Sequence, residues 1–240
     1  MSYTSKDYAA LLSRLEALSE EKYKAFTRRL IPGLENVYGV RSPVLRKLAR
    51  EIIHGDWRGY LAAARDTSHE ERLLQSMVIH RAKCTLEEKL AYIAAFVPKI
   101  DNWAVCDIFA SAARDLQKDP EAVGQFVAPY FESEGEYPLR FAIVMRMAYH
   151  ISPEYIDETL LLLSAVRPGG YYAKMAAAWA LSECYVAFPQ KTMALLRDNA
   201  MDDFTHNKAI LKIRESFRVS DEDKRLLNDL KRKKNKEKPA

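Results

Sequence analysis

The stretch Asp101-Asn102-Trp103-Ala104-Val105-Cys106-Asp107-Ile108-Phe109 decides how the chain is read. In a helix successive residues turn by about 100°, so Ala104, Val105, Ile108, Phe109 and Ala112 gather on one apolar face. Trp103 and Asp107 fall on the other face, four residues apart and therefore one above the other. Asp101 is placed to cap the opening turn. A large aromatic and a carboxylate thus stand side by side, turned off the helix's own core.

Working outward, related apolar patterns recur. Arg140-Phe141-Ala142-Ile143-Val144-Met145 follows 37 residues on, and Ala176-Ala177-Ala178-Trp179-Ala180-Leu181 brings its tryptophan 39 residues after Arg140. Asn207-Lys208-Ala209-Ile210-Leu211-Lys212-Ile213 fits the same scheme. Helix-like periodicity runs nearly end to end and is cut by turn signals at Pro32-Gly33, Ser42-Pro43, Gly55-Asp56, Asp119-Pro120, Ser152-Pro153, Pro168-Gly169-Gly170 and Pro189. Ser42-Pro43 reads as an N-cap followed by proline at the first helical position, and Thr85-Leu86-Glu87-Glu88 has capping-box spacing. A period just under 40 with two helices per unit implies an all-α fold: an α-solenoid of HEAT-like helix-hairpin repeats whose equivalent helices line a concave side. Residues 1–230 read as one such domain and residues 231–240 as a basic tail.

Composition agrees. The 240 residues are 48% hydrophobic and 29% charged, which is enough apolar material for a continuous core, and only 8 glycines argue against a many-turned β fold. Cys84, Cys106 and Cys184 are odd in number and lack CxxC spacing, so they read as thiols of a reducing cytoplasm rather than disulfide or zinc ligands. The N-terminal residues carry no signal-peptide pattern, and no apolar run approaches membrane-spanning length. Net charge is +4, but Lys231–Ala240 holds +5 of it, which leaves the body at −1.

Candidate chemistry is sparse by motif. There is no Gly-rich phosphate loop, HExxH or GxSxG, and His54, His69, His80, His150 and His206 show no ligand spacing. Metal and acyl-enzyme chemistry therefore have no support in the sequence. Arg140 shares its side of a helix with Val144 and Met147, and an ion pair to Glu132, Glu134 or Glu136 is the ordinary reading beside a functional one. Near the C-terminus Lys208 and Lys212 share a face with Glu215, while Ala209, Ile210, Ile213 and Phe217 form the opposite apolar face. With His206 and Arg214 they make a modest basic surface able to straddle backbone phosphates.

These segments, together with Gly39-Val40-Arg41-Ser42-Pro43-Val44-Leu45-Arg46 and Lys174-Met175-Ala176-Ala177-Ala178-Trp179-Ala180-Leu181-Ser182-Glu183, resemble the AlkD-like HEAT-repeat DNA glycosylases, known as DNA alkylation repair enzymes. The specificity lies in the set: Trp-x3-Asp, then an arginine, then a second tryptophan. The resemblance implies a catalytic cleft formed by Trp103, Asp107, Arg140 and Trp179. It implies hydrolysis of the N-glycosidic bond of cationic N3- and N7-alkylated purines in double-stranded DNA, by a monomer, without metal or organic cofactor. Arg41, Arg46, Lys174, His206, Lys208, Lys212 and Arg214 are then expected on the DNA side. The chain departs from the family pattern at Asn102, where some members have a second aromatic, and at Ser182 and Cys184, where some carry Arg and Tyr. Phe26 is a candidate for the family's N-terminal aromatic contact. A non-catalytic scaffold for distorted or branched DNA, and a protein-interaction module, are the other readings the residues allow.

Overall fold

A computed structural model describes residues 3–166 and 170–232. Pro168-Gly169 of the expected Pro168-Gly169-Gly170 turn and the tail from Lys233 onward lie outside the described residues. All regular structure among the described residues is helical, and the chain divides into two compact units between Lys118 and Asp119.

The first unit contains α1 (Ser5–Ala17), α2 (Glu21–Leu30), α3 (Ser42–His54), α4 (Trp57–Ala63), α5 (His69–Arg81), α6 (Leu86–Phe96) and α7 (Trp103–Ser111). Helix α5 packs on α3 on one side and on α7 on the other, with α6 also against it, so it is buried nearly all round. That burial takes polar residues inward with their partners. Glu71 closes a capping box with Ser68 and accepts from the Tyr8 hydroxyl, and Gln75 donates to the Arg65 carbonyl. Lys89 of α6, only 2% exposed, donates to the carbonyls of His80 and Ala82 at the end of α5, both at 3.1 Å, and pairs with Asp115. Leu45, Leu74, Ile93, Phe96 and Phe109 fill the core between these helices.

The second unit contains α8 (Pro120–Val127), α9 (Glu136–Tyr149), α10 (Ile156–Ala165), α11 (Tyr171–Ala187), α12 (Pro189–Arg197), α13 (Asp203–Glu215) and α14 (Asp221–Asp229). Here α11 lies between α9 and α13, and its buried Ala173, Ala176, Ala177, Ala178 and Ala180 keep the helix slim enough for neighbours on both sides. Lys174 near the start of α11 pairs with Asp202 at the start of α13, and Glu183 towards its end pairs with Arg218 just past α13. The two helices therefore run parallel. Within each unit alternate helices stack in sequence order while the intervening helices return outside them, which is the construction of an α-solenoid.

The repeat is shorter than the residue spacing implied. Helices α7, α9, α11 and α13 begin at Trp103, Glu136, Tyr171 and Asp203, intervals of 33, 35 and 32 residues. Trp103 is accordingly the first residue of its helix, Arg140 the fifth and Trp179 the ninth. The three residues do not occupy equivalent positions; each sits about one turn further along than the last.

Two helix starts depart from the sequence reading, one by a residue and one in its capping bonds. Arg41, not Ser42, is the N-cap of α3, with Pro43 in the first turn. Thr85 does cap α6 by accepting from the Glu88 amide, but the Glu88 carboxylate is taken by a bidentate ion pair with Arg58. No helix among the described residues is long and apolar enough to cross a membrane.

Candidate functional site

Helix α7 opens on Asn102, whose side-chain oxygen accepts from the amides of Ala104 and Val105 at 3.1 and 3.0 Å. Asp101 does not cap the helix. It accepts from the Asn102 side chain at 2.8 Å and pairs with Arg72 of α5 at 3.2 Å, so it holds the cap instead of being one. The buried face of α7 is Val105, Cys106, Phe109 and Ala110. The expected membership of Ala104, Ile108 and Ala112 in that face is not found: Ala104 is half-buried, and Ile108 and Ala112 are exposed. A helix entering with Trp103 as its first residue rotates its inward stripe to the residues that meet α5.

Ala104 and Ile108 instead join Trp103 and Asp107 along a cleft of about 250 Å³. Helix α2 contributes Tyr23, Phe26, Thr27 and Leu30, the approach to α3 contributes Val40 and Ser42, and α5 contributes His69, Glu70 and Leu73. Phe26 stacks on Tyr23 with ring centroids 6.1 Å apart. Of the eight large apolar side chains exposed among the described residues, Phe26, Leu30 and Ile108 all border this one cleft, which marks it as a surface built to meet something. A larger cleft of about 720 Å³ in the same unit is lined by charges of both signs, including Glu16, Lys24, Arg28, Glu35 and Glu71. Size does not select it, because none of the chemistry-bearing residues of α7 reaches it.

The cleft's near wall is set by Glu70, 1% exposed, whose carboxylate accepts from the amides of Tyr38, Gly39 and Val40 at 2.9, 2.8 and 3.1 Å. Gly39 has φ +90, and a Cβ there would lie 2.7 Å from Cβ of Lys24. Only glycine fits both demands. Arg41 extends from this wall over the Tyr23 ring at 5.0 Å while engaging Glu20 at 2.9 Å, and Arg46 is exposed one turn into α3.

The second unit holds the other expected site residues. Arg140 is 6% exposed and donates from Nη1 to the Tyr172 carbonyl. Glu136, one turn before it, accepts from the Tyr172 amide at 2.6 Å. Both side chains thus grip one peptide residue at the start of α11. Trp179 is half-buried on α11, and Lys174 pairs with Asp202 at 3.4 Å.

Helix α13 sorts the expected basic surface. Lys208 and Lys212 are half-buried, Lys208 lying 5.8 Å over the Phe204 ring. His206 does not belong with them. It is 1% exposed, its Nε2 meets the Leu230 carbonyl at 2.9 Å and its Nδ1 meets the Asn199 side chain at 3.3 Å. Burial pushes its proton affinity down, so it is a neutral strut between α13 and the chain beyond α14. Arg214 borders a pocket with Lys224 and Arg225 of α14, and Phe217, expected on the apolar face, is fully exposed beyond the end of α13. Arg232, read in the sequence as tail, is anchored: it donates to the Asn199 carbonyl at 2.8 Å and exchanges bonds with Asn207.

Residues 11–213 match the profile of the DNA alkylation repair enzyme family. The chain belongs to that family. The match spans the Trp103–Asp107 cleft, Arg140, Trp179 and α13 as far as Ile213, whereas Arg214 and α14 fall beyond it. No curated protein is matched by the chain. As a DNA alkylation repair enzyme the protein has a role in DNA repair, and its partner is DNA.

Sequence reasoning did not single out His69 and Glu70 as cleft residues. Their only local signal is the Ser68 capping box, which starts α5 but gives no hint that its first turn faces α7.

Proposed function

We propose that this DNA alkylation repair enzyme is a monofunctional glycosylase that hydrolyses the N-glycosidic bond of cationic N3- and N7-alkylated purines in duplex DNA. The observation that carries the reading is Asp107 one turn from Trp103, both half-buried on a cleft rimmed by Phe26, Leu30 and Ile108.

The chemistry suits those groups. An alkylated purine is already a cation, so the bond to C1′ breaks with its electron pair going to the base, which leaves neutral and needs little acid assistance. Positive charge then moves to the deoxyribose, where a carboxylate beside a water-excluding indole stabilises it more than the same carboxylate does in bulk water. Water adds to C1′ and gives up a proton. The Trp103 face adds cation-π attraction to lesion and sugar, on the order of 0.5–2 kcal/mol. For the second unit we assign Arg140 and Trp179 to the same DNA, Arg140 at a phosphate and Trp179 as an aromatic face. Arg46, Lys174, Lys208 and Lys212 hold the backbone without sequence preference.

The test is release of 7-methylguanine or 3-methyladenine from methylated duplex DNA beside a binding titration. Asp107→Asn is expected to slow single-turnover release by about 10²- to 10³-fold while binding stays near wild type. Salt-sensitive binding with no base release from the wild-type protein would replace the enzyme reading by that of a DNA-binding scaffold. No binding at low salt would leave a protein-interaction module.

A further inference from the structure

The start of α11 is held from α9 at three points of one residue. The Tyr172 amide donates to Glu136 at 2.6 Å, its carbonyl accepts from Arg140 Nη1, and its ring stacks on that of Tyr137 with centroids 6.1 Å apart. Glu136 and Arg140 stand one turn apart on the same side of α9. The N-cap of α11 is Gly170, which offers no side-chain acceptor, so a first-turn amide takes its acceptor from another helix. Gly170 has φ −57, a conformation open to any residue. What glycine supplies there is space: a Cβ would fall on the Glu136 carboxylate, well inside contact distance. Sequence, cap and neighbouring helix thus agree on one place for that carboxylate.

We propose that Glu136 is a positioning residue that acts through Arg140. By fixing the Tyr172 peptide it fixes the carbonyl that orients the Arg140 guanidinium, and so the direction from which Arg140 meets a DNA phosphate. The inference rests on the glycosylase reading above and on the assignment of Arg140 to a phosphate.

The geometry of arginine makes such control effective. A guanidinium is planar with its N–H groups in a fixed fork, so a bond from one Nη to a carbonyl sets the plane in which the others lie. Arg140, only 6% exposed, is then presented in one orientation and loses little side-chain freedom on meeting a phosphate. The same joint bears on Trp179, which lies seven residues beyond Tyr172 and therefore two turns along the same face of α11. Holding Tyr172 keeps the contributions of α9 and α11 in register. A phosphate held out of place costs rate more than affinity, because other backbone contacts still retain the duplex while the reacting bond is misaligned.

The experiment is single-turnover release of 7-methylguanine from methylated duplex at saturating protein, with DNA affinity and thermal unfolding measured on the same samples. Glu136→Ala is expected to slow release about 10-fold while affinity stays within about twofold of wild type. Glu136→Gln, whose amide oxygen can still accept from Tyr172, should recover most of the rate. Gly170→Ala pushes the carboxylate aside with Glu136 and Arg140 both intact, and should match Glu136→Ala. In an Arg140→Ala background Glu136→Ala should slow release no further, although it still lowers the unfolding midpoint. If Glu136→Ala does not fold, Gly170→Ala takes its place in the same double-mutant cycle. Equal slowing with and without Arg140, or a folded Glu136→Ala that excises at the wild-type rate, overturns the proposal. Wild-type protein that releases no base defeats the glycosylase reading itself; release slowed by Arg140→Ala but not by Glu136→Ala defeats only the role of Glu136.

Discussion

The carboxylate of Glu70, at the start of α5, accepts a hydrogen bond from the amide of Gly39 at 2.8 Å. It thereby ties the loop before α3 to the wall of the cleft, in a backbone conformation open to glycine alone. Gly39→Ala must place a Cβ at φ +90 against Lys24. The expected loss is about 2–3 kcal/mol, read as a lowered urea midpoint, and Glu70→Ala should cost a similar amount by leaving three buried amides without their acceptor.

Asn102 fixes where α7 begins and so where Trp103 points. Asn102→Ala removes the acceptor for two amides of the first turn and should destabilise by about 1 kcal/mol. Asn102→Asp keeps the cap and adds a charge favourable at a helix N-terminus. If both variants unfold at the same midpoint, the cap contributes nothing.

The grip of Glu136 and Arg140 on Tyr172 supplies an acceptor to one of the first-turn amides of α11, which otherwise has no intrahelical partner. Glu136→Ala is expected to cost about 1.5 kcal/mol and to raise amide hydrogen exchange at Tyr172. Unchanged exchange at that position would show the bond to be unimportant in solution.

Acid should destabilise the fold through its buried histidines. His80 is held down to about 3 by burial first and the Lys89 charge second, and burial also lowers His150 and His206. A histidine whose folded-state affinity is depressed binds its proton more readily once unfolded. Its contribution is therefore complete above the ordinary value near 6.5 and declines as pH falls towards 3. Urea titrations at pH 7, 6 and 5 should show the decline, at up to about 1.4 kcal/mol per pH unit per histidine. His80→Phe should flatten it.

Neighbouring positions on α13 should separate by phenotype. Lys212→Ala is expected to lower the salt dependence of DNA binding by about one counterion with little effect on stability. His206→Ala should do the reverse, loosening the Leu230 and Asn199 contacts while leaving the salt slope in place. A changed salt slope in His206→Ala would place that ring back among the DNA contacts.

The sequence by itself determined the helical class, the solenoid stacking and the family, because these depend on periodicity, punctuation and the order of short segments. It also placed Trp103 beside Asp107, since a spacing of four residues enforces that in any helix. It did not determine which helix face turns inward. Ala104 and Ile108 left the core and His206 entered it, because burial depends on which neighbours a helix meets on each side. Helices α5 and α11 are covered nearly all round, so their local patterns hold too little contrast to show direction. Tertiary structure alone brought residues from α2, α3, α5 and α7 to one cleft around Asp107, and with them a buried histidine that no sequence spacing connects to it.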